Sequence, residues 1–224
     1  MTPRPTTPDA AAPRSAPGLQ DHESARAARR AEMTRSIREA LERLFAAGHV
    51  YTDLGVNEIV AEAGIPRSTF YVYFADRSDM LREVYLQSWR TLGRATQPWW
   101  DLDGAADRAA VRAVMAALVW TYRPHMAVMA AVHDAAAYDP AVRELVDRLM
   151  SRSIAAATEH LQRGQREGFV NPDLPPGPTA AWIIHMCERS MHRYVRTLDP
   201  SEVDPAVEAI TEIVWRTLYA PARD

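Results

Sequence analysis

The sequence predicts an all-α protein, and three observations carry that expectation. Apolar residues recur at helical spacing along most of the 224 residues, and no segment keeps the alternation of a half-buried strand. Gly and Pro are sparse inside the periodic segments and gather between them. Helix-start residues also stand where periodic segments begin: Pro66, whose missing N–H costs nothing in a first turn, and Asp76, an N-cap with Asp79 three residues on.

Taken in order, residues 1–22 open with "MTPRPTTPDAAAPRSAPGLQD", Pro/Ala/Thr-rich with little to bury, and are expected to form a disordered arm. A first helix is expected from about Glu23 to Ala47, burying Ile37, Leu41, Leu44 and Phe45 and ending at Gly48. The short segment "VNEIVAEA" turns Val56, Ile59 and Val60 inward behind a Gly55 start. Gly64 then supplies the left-handed backbone that a tight helix–turn–helix corner favours.

The next helix begins near Pro66. Phe70 and Phe74, four apart, share its docking face, while Arg67, Ser68, Tyr71 and Tyr73 project mostly away from it. A helix so divided holds to its own domain on one side and leaves the other free to read a surface. After Asp76 a further helix runs through Met80, Leu81, Val84 and Leu86. Five more are expected at about 107–122, 124–136, 140–167, 177–197 and 202–219, making nine in all.

Composition narrows the function. With 47% hydrophobic and 25% charged residues the chain has the make-up of an ordinary globular protein. No apolar run approaches the roughly 20 residues of a bilayer-spanning helix, and the N-terminus lacks the apolar core of a secretory signal. A single Cys excludes an intrachain disulfide framework and fits a reducing cytoplasm, the expected location. The net charge of −3 does not itself suggest nucleic acid, but its distribution is more useful. The first helix carries Arg26, Arg29, Arg30, Arg35, Arg38 and Arg43, only partly balanced by Glu32, Glu39 and Glu42. All 26 Lys or Arg positions are Arg, which reads first as a codon-usage bias, although Arg also suits bidentate contacts with phosphate and guanine.

The stretch "VNEIVAEAGIPRSTFYVYFADRSDMLREVY" resembles the second to fourth helices of the TetR family of bacterial transcriptional regulators, and the close match spans about residues 30–90. The resemblance implies a helix–turn–helix DNA-binding domain over 23–76 and a larger helical ligand-binding and dimerisation domain over 77–224. It implies that Arg67, Ser68 and Tyr71 face base edges in the major groove, and that Thr69, Tyr73 and Arg77 meet phosphate. Two positions depart from the family pattern. Gly55 stands where a hydroxyl is common, and Val72 where a polar or aromatic residue is common.

For the second half, the Met- and Trp-rich segments combined with the resemblance give a candidate effector pocket. Its members are Met115, Leu118, Val119, Tyr122, Met126, Met129, Trp182, Met186 and Cys187. The last two helices, through Ile183, Met191, Val207, Ile210, Val214 and Leu218, are the implied dimer interface. The expectation is therefore a homodimeric regulator, read as a repressor, that binds a palindromic double-stranded DNA operator and is released by a small apolar effector. No cofactor or membrane partner is expected.

Other classes find less support. An enzyme on a helical bundle would need chemistry that is missing here: the sequence has no nucleophile elbow, P-loop, dinucleotide turn or zinc motif. A helical interaction module that has lost DNA binding would rest only on Gly55 and Val72. His185, Glu188 and His192 share a face, but the two His stand about 10.5 Å apart along the axis, too far to clasp one ion readily. Glu188 with His192 reads instead as a local ion pair, and Cys187, on an apolar face, as a buried and inert thiol.

Overall fold

A computed structural model describes residues 17–219, with side chains described from residue 24. Among the described residues there are nine α-helices and no strand: α1 Pro17–Ala46, α2 Val56–Glu62, α3 Arg67–Tyr73, α4 Arg77–Trp100, α5 Arg108–Tyr122, α6 Met126–Ala136, α7 Pro140–Glu167, α8 Pro176–Arg193 and α9 Val203–Val214. The expected arm lies outside the described residues up to position 16. From Pro17 the chain is already helical, so α1 starts six residues before the expected Glu23. Tertiary packing explains the later helices better than the earliest turns, which carry only exposed side chains at Ser24, Ala25, Arg26, Ala27, Ala28 and Arg29.

The N-terminal head forms because three amphipathic helices share one apolar centre. Ile37 and Leu41 of α1, Ile59 of α2 and Phe70 of α3 are fully enclosed, with Phe74 and Leu54 beside them. Burying a large apolar side chain of this kind contributes roughly 1.5–3 kcal/mol. Gly48 and Gly64 both take positive φ, at 92° and 68°, at the ends of α1 and α2. At the second corner the Ile65 N–H donates to the Val60 carbonyl at 3.0 Å, closing the left-handed turn that aims α3. Gly55 caps α2 without a side chain, and its N–H instead donates to Glu58 Oε2 at 2.6 Å. Asp76 accepts from the Asp79 N–H at 2.7 Å, the expected cap of α4.

α4 joins the head to the larger half. Its buried face runs from Met80 and Leu81, which pack into the head, to Leu92 and Trp99, which pack into the second core. Around it α5, α6, α7 and α8 complete a bundle, with α9 laid on α5. Further ties cross between the halves: Ser78 donates to Asp139, the N-cap of α7, and Glu42 of α1 stands 3.6 Å from His125. The chain turns back on itself after Gly168, whose φ of 82° ends α7. There Phe169 and Val170 press so closely on Gly164 that a Cβ at Gly164 would overlap both.

Candidate nucleic-acid interface and ligand cavity

α3 presents two faces of opposite character. Phe70 and Phe74 stack into the head with ring centroids 5.3 Å apart. On the other side Arg67, Ser68, Tyr71 and Val72 are exposed, whereas Thr69 and Tyr73 are half-buried at the margin. Tyr73 also packs against the head core, so its ring does structural work that the sequence pattern did not suggest. Val72 is 63% exposed, a bare apolar side chain on the outward face.

Arg67 is held before any partner arrives. Its Nη1 donates to Asn57 Oδ1 at 2.9 Å, and its guanidinium lies 5.6 Å from the centroid of the Tyr71 ring. A second N–H reaches toward the Tyr71 hydroxyl at 3.4 Å. Planar guanidinium, amide and phenol together make a surface suited to base edges, because Arg can bridge two guanine acceptors while Asn pairs with adenine. Asn57, on the first turn of α2, was not among the expected site residues, and its signal in the sequence is a polar amide beside the Gly55 cap, about two turns before the Gly64 corner.

Arg77 is placed differently from what the resemblance implied. Its Nη1 donates to the carbonyls of Tyr51, Thr52 and Leu54 at 3.2, 3.4 and 2.6 Å, and its guanidinium stacks 4.7 Å from the Tyr51 ring. The Tyr51 hydroxyl returns a hydrogen bond to the Arg77 carbonyl at 3.1 Å. The side chain thus pins the turn between α1 and α2 to the start of α4. The α1 arginines divide in the same way. Arg30 pairs with Glu83 at 3.3 Å, Arg38 with Glu42 at 2.7 Å and Arg43 with Glu62 at 2.5 Å, whereas Arg26, Arg29 and Arg35 are exposed.

The larger half holds a half-open cavity of about 260 Å³ between α4, α5, α6, α7 and α8. Of the nine expected pocket residues, Leu118, Tyr122, Met129 and Cys187 lie on its wall. Met115 and Val119 are buried in solid core, Met126 and Met186 are half-buried away from the cavity, and Trp182 is 79% exposed on the outer face of α8. α4 supplies what the expectation lacked: Tyr85, Trp89, Trp99 and Trp100 form an aromatic wall, with Leu92 among them. Tyr85 and Trp89, four apart in "VYLQSW", and the adjacent Trp99 and Trp100 of "QPWW" are the signal in the sequence for this wall.

Polar groups punctuate that wall. Glu188 projects from α8, and His133 Nε2 of α6 lies 2.9 Å from its Oε1. At that contact Oε1 is shut off from solvent, and among the described residues the buried Tyr122 hydroxyl has no hydrogen-bond partner. His133 still holds the Glu188 carboxyl below the ordinary carboxylate range, against the opposing effect of burial. The local pair is therefore Glu188 with His133, not with His192, whose ring instead lies tilted against that of His133 with centroids 4.7 Å apart. Burial pushes the Cys187 thiol up to about 12, which leaves it protonated and unreactive. No group of three or more potential metal-ligating side chains occurs among the described residues.

The expected dimer residues lie mostly inside their own chain. Ile183, Met191, Val207, Val214 and Leu218 are buried, Ile210 is half-buried, and Met191 lines the cavity. The outward positions of the same helices are Trp182 on α8 and Ile213 on α9, 79% and 48% exposed.

Two family comparisons decide the assignment. Residues 37–84 match the domain described as "Bacterial regulatory proteins, tetR family", and residues 111–220 match "Transcriptional regulator EthR, C-terminal domain". The chain belongs to the TetR family. It is a DNA-binding, helix–turn–helix transcriptional regulator, and members of the TetR family are regulators rather than enzymes.

Solved structures share the fold at low identity. A putative TetR-family regulator from Rhodococcus sp. is 18% identical, with a TM-score of 0.62 over 82% of this chain and 98% of that one. Salmonella enterica GusR is 13% identical, with a TM-score of 0.67 over 84% and 95%. A putative regulator from Saccharomonospora viridis, solved in complex with choline, is 18% identical, with a TM-score of 0.63 over 84% and 98%. No curated protein matches the chain. No helix among the described residues is long and apolar enough to cross a membrane.

Proposed function

We propose that this TetR-family regulator is a homodimeric repressor that binds a palindromic operator and is released when a small, largely apolar molecule fills the cavity between α4 and α8. The observation that carries the reading is the division of α3: Phe70 and Phe74 anchor it, while Arg67, braced by Asn57 and Tyr71, faces outward. In this reading Arg67, Ser68 and Tyr71 read bases, and Thr69 and Tyr73 set register on phosphate. Two copies meet through the outer faces of α8 and α9, where Trp182 and Ile213 are exposed. A two-fold dimer then presents its α3 helices to matching half-sites.

The effector acts through α4, which starts beside α3 and ends along the cavity. Release requires that the ligand bind one arrangement of the two heads better than the other. The relative complexed with choline supports the idea that this fold accommodates a small molecule.

A gel-shift with the DNA flanking the protein's own gene tests the reading. The protein should retard that duplex at concentrations that leave an unrelated duplex of equal length free, and Arg67→Ala should abolish the preference. Equal retardation of both duplexes by the wild type would overturn it.

A further inference from the structure

An exposed arginine ordinarily samples many rotamers in water, and fixing it on a partner lowers affinity by the freedom it loses. Arg67 is exposed but already held. Its two holds differ in kind. Tyr71, whose ring centroid lies 5.6 Å from the guanidinium, sits one turn along the same helix and moves with α3. Asn57, whose Oδ1 accepts from Arg67 Nη1 at 2.9 Å, belongs to the first turn of α2 on the far side of the Gly64 corner. Its amide therefore fixes the guanidinium against a second helix of the head.

The hydrogen-bonding groups left over assign a role to each side chain. Of the five N–H donors of a guanidinium, one goes to Asn57, a second reaches toward the Tyr71 hydroxyl at 3.4 Å, and the remaining three suffice for the O6 and N7 acceptors of guanine. Asn57 stands the other way. A bidentate pair with adenine needs Oδ1 and Nδ2 aimed together at one base edge, whereas Oδ1 here is aimed at Arg67. Asn57 is also uncharged, so it holds the arginine without cancelling the charge that attracts DNA. The adjacent carboxylate is engaged elsewhere, because Glu58 Oε2 accepts from the Gly55 N–H at 2.6 Å.

We propose that Asn57 is a positioning residue for base recognition: acting through Arg67, and without touching a base itself, it sets the preference for a guanine in each half-site. This inference rests on α3 being the reading helix, and it adds a specificity-determining residue on α2 and the base that Arg67 takes.

Gel-shift titration of the full chain tests it, with wild type, Asn57→Ala, Arg67→Ala and the double variant on the DNA flanking the protein's own gene and on an unrelated duplex of equal length. Asn57 is exposed and Ala is the better helix former, so circular dichroism should show every variant folded. Asn57→Ala should lower the preference for the flanking DNA by about threefold to tenfold, the scale of immobilising one long side chain on binding, while binding to the unrelated duplex stays within about twofold. Added to Arg67→Ala, the same change should cost no further affinity for the flanking DNA. Methylating guanine N7 with dimethyl sulfate should block wild-type binding at one guanine per half-site and leave Arg67→Ala indifferent there. An undiminished preference in Asn57→Ala, an equal further loss when it is added to Arg67→Ala, or wild-type binding indifferent to N7 methylation would each overturn the proposal and leave α3 as the reading helix. An undiminished preference in Arg67→Ala would overturn both.

Discussion

Arg67 and Arg77 stand ten residues apart and use the same guanidinium for opposite ends. Arg77 spends its Nη1 on three backbone carbonyls of the turn before α2, so its loss leaves those acceptors unsatisfied and frees the start of α4. Arg77→Ala should lower stability by about 1–3 kcal/mol in urea titrations, whereas Arg67→Ala, exposed and held by an exposed amide, should stay within about 0.5 kcal/mol of wild type. Equal stability of the two variants would contradict that division. A third residue gives a pH signature. His160 accepts from or donates to the Tyr219 hydroxyl at 2.7 Å, and that hydroxyl also accepts from Trp99 Nε1 at 2.7 Å.

Burial, with Arg163 nearby, pushes His160 down to about 4. Between about pH 6.5 and 4 the unfolded chain therefore binds a proton that the folded chain refuses, so stability rises with pH through that window and falls as pH drops through it. The loss from this one group is on the order of 2–3 kcal/mol across the window. His160→Gln, which keeps a hydrogen-bonding side chain but cannot titrate, should make the pH dependence of the urea midpoint measurably shallower there. An unchanged slope would show that the histidine is not neutral in the folded state.

At the scale of elements, periodicity was enough to place nearly every helix, because each buries one stripe and is bounded by Gly, Pro or an Asp cap. The two-residue shift at the start of α6, Met126 rather than 124, arises because Arg123–His125 forms a single 3₁₀ turn that periodicity cannot tell from helix. The two faces of α3 were legible because a short helix has one evident docking face, and Arg67, Ser68 and Tyr71 are exposed opposite it. Faces were less legible on α8 and α9, where several apolar stripes compete. Spacing alone does not say which stripe meets the chain's own core. Ile183, Val207 and Val214 took that role, and the outward positions fell to Trp182 and Ile213. Ile213→Glu with Trp182→Glu should therefore convert a dimer of 25.1 kDa chains into monomers by light scattering, with little change in helical content. A double variant that remains fully dimeric would place the interface elsewhere.

Across the whole molecule, the head and the cavity share α4, and the bundle and the head are tied again by Ser78 with Asp139 and by Glu42 with His125. Any ligand that changes the packing of Tyr85 or Trp89 acts on a helix whose other end carries Arg77 and the recognition helix beside it. What the sequence left illegible at this scale was the cavity itself, because a void depends on how five helices meet and no single periodicity encodes it. In the proposed function two copies read DNA through paired α3 helices. Hydroxyl-radical footprinting of the protein on the DNA flanking its own gene should then show two protected half-sites related by a dyad, their centres separated by about one turn of duplex or a multiple of it, both lost together in Arg67→Ala. A single asymmetric protected patch, or the same symmetric footprint persisting in Arg67→Ala, would contradict it.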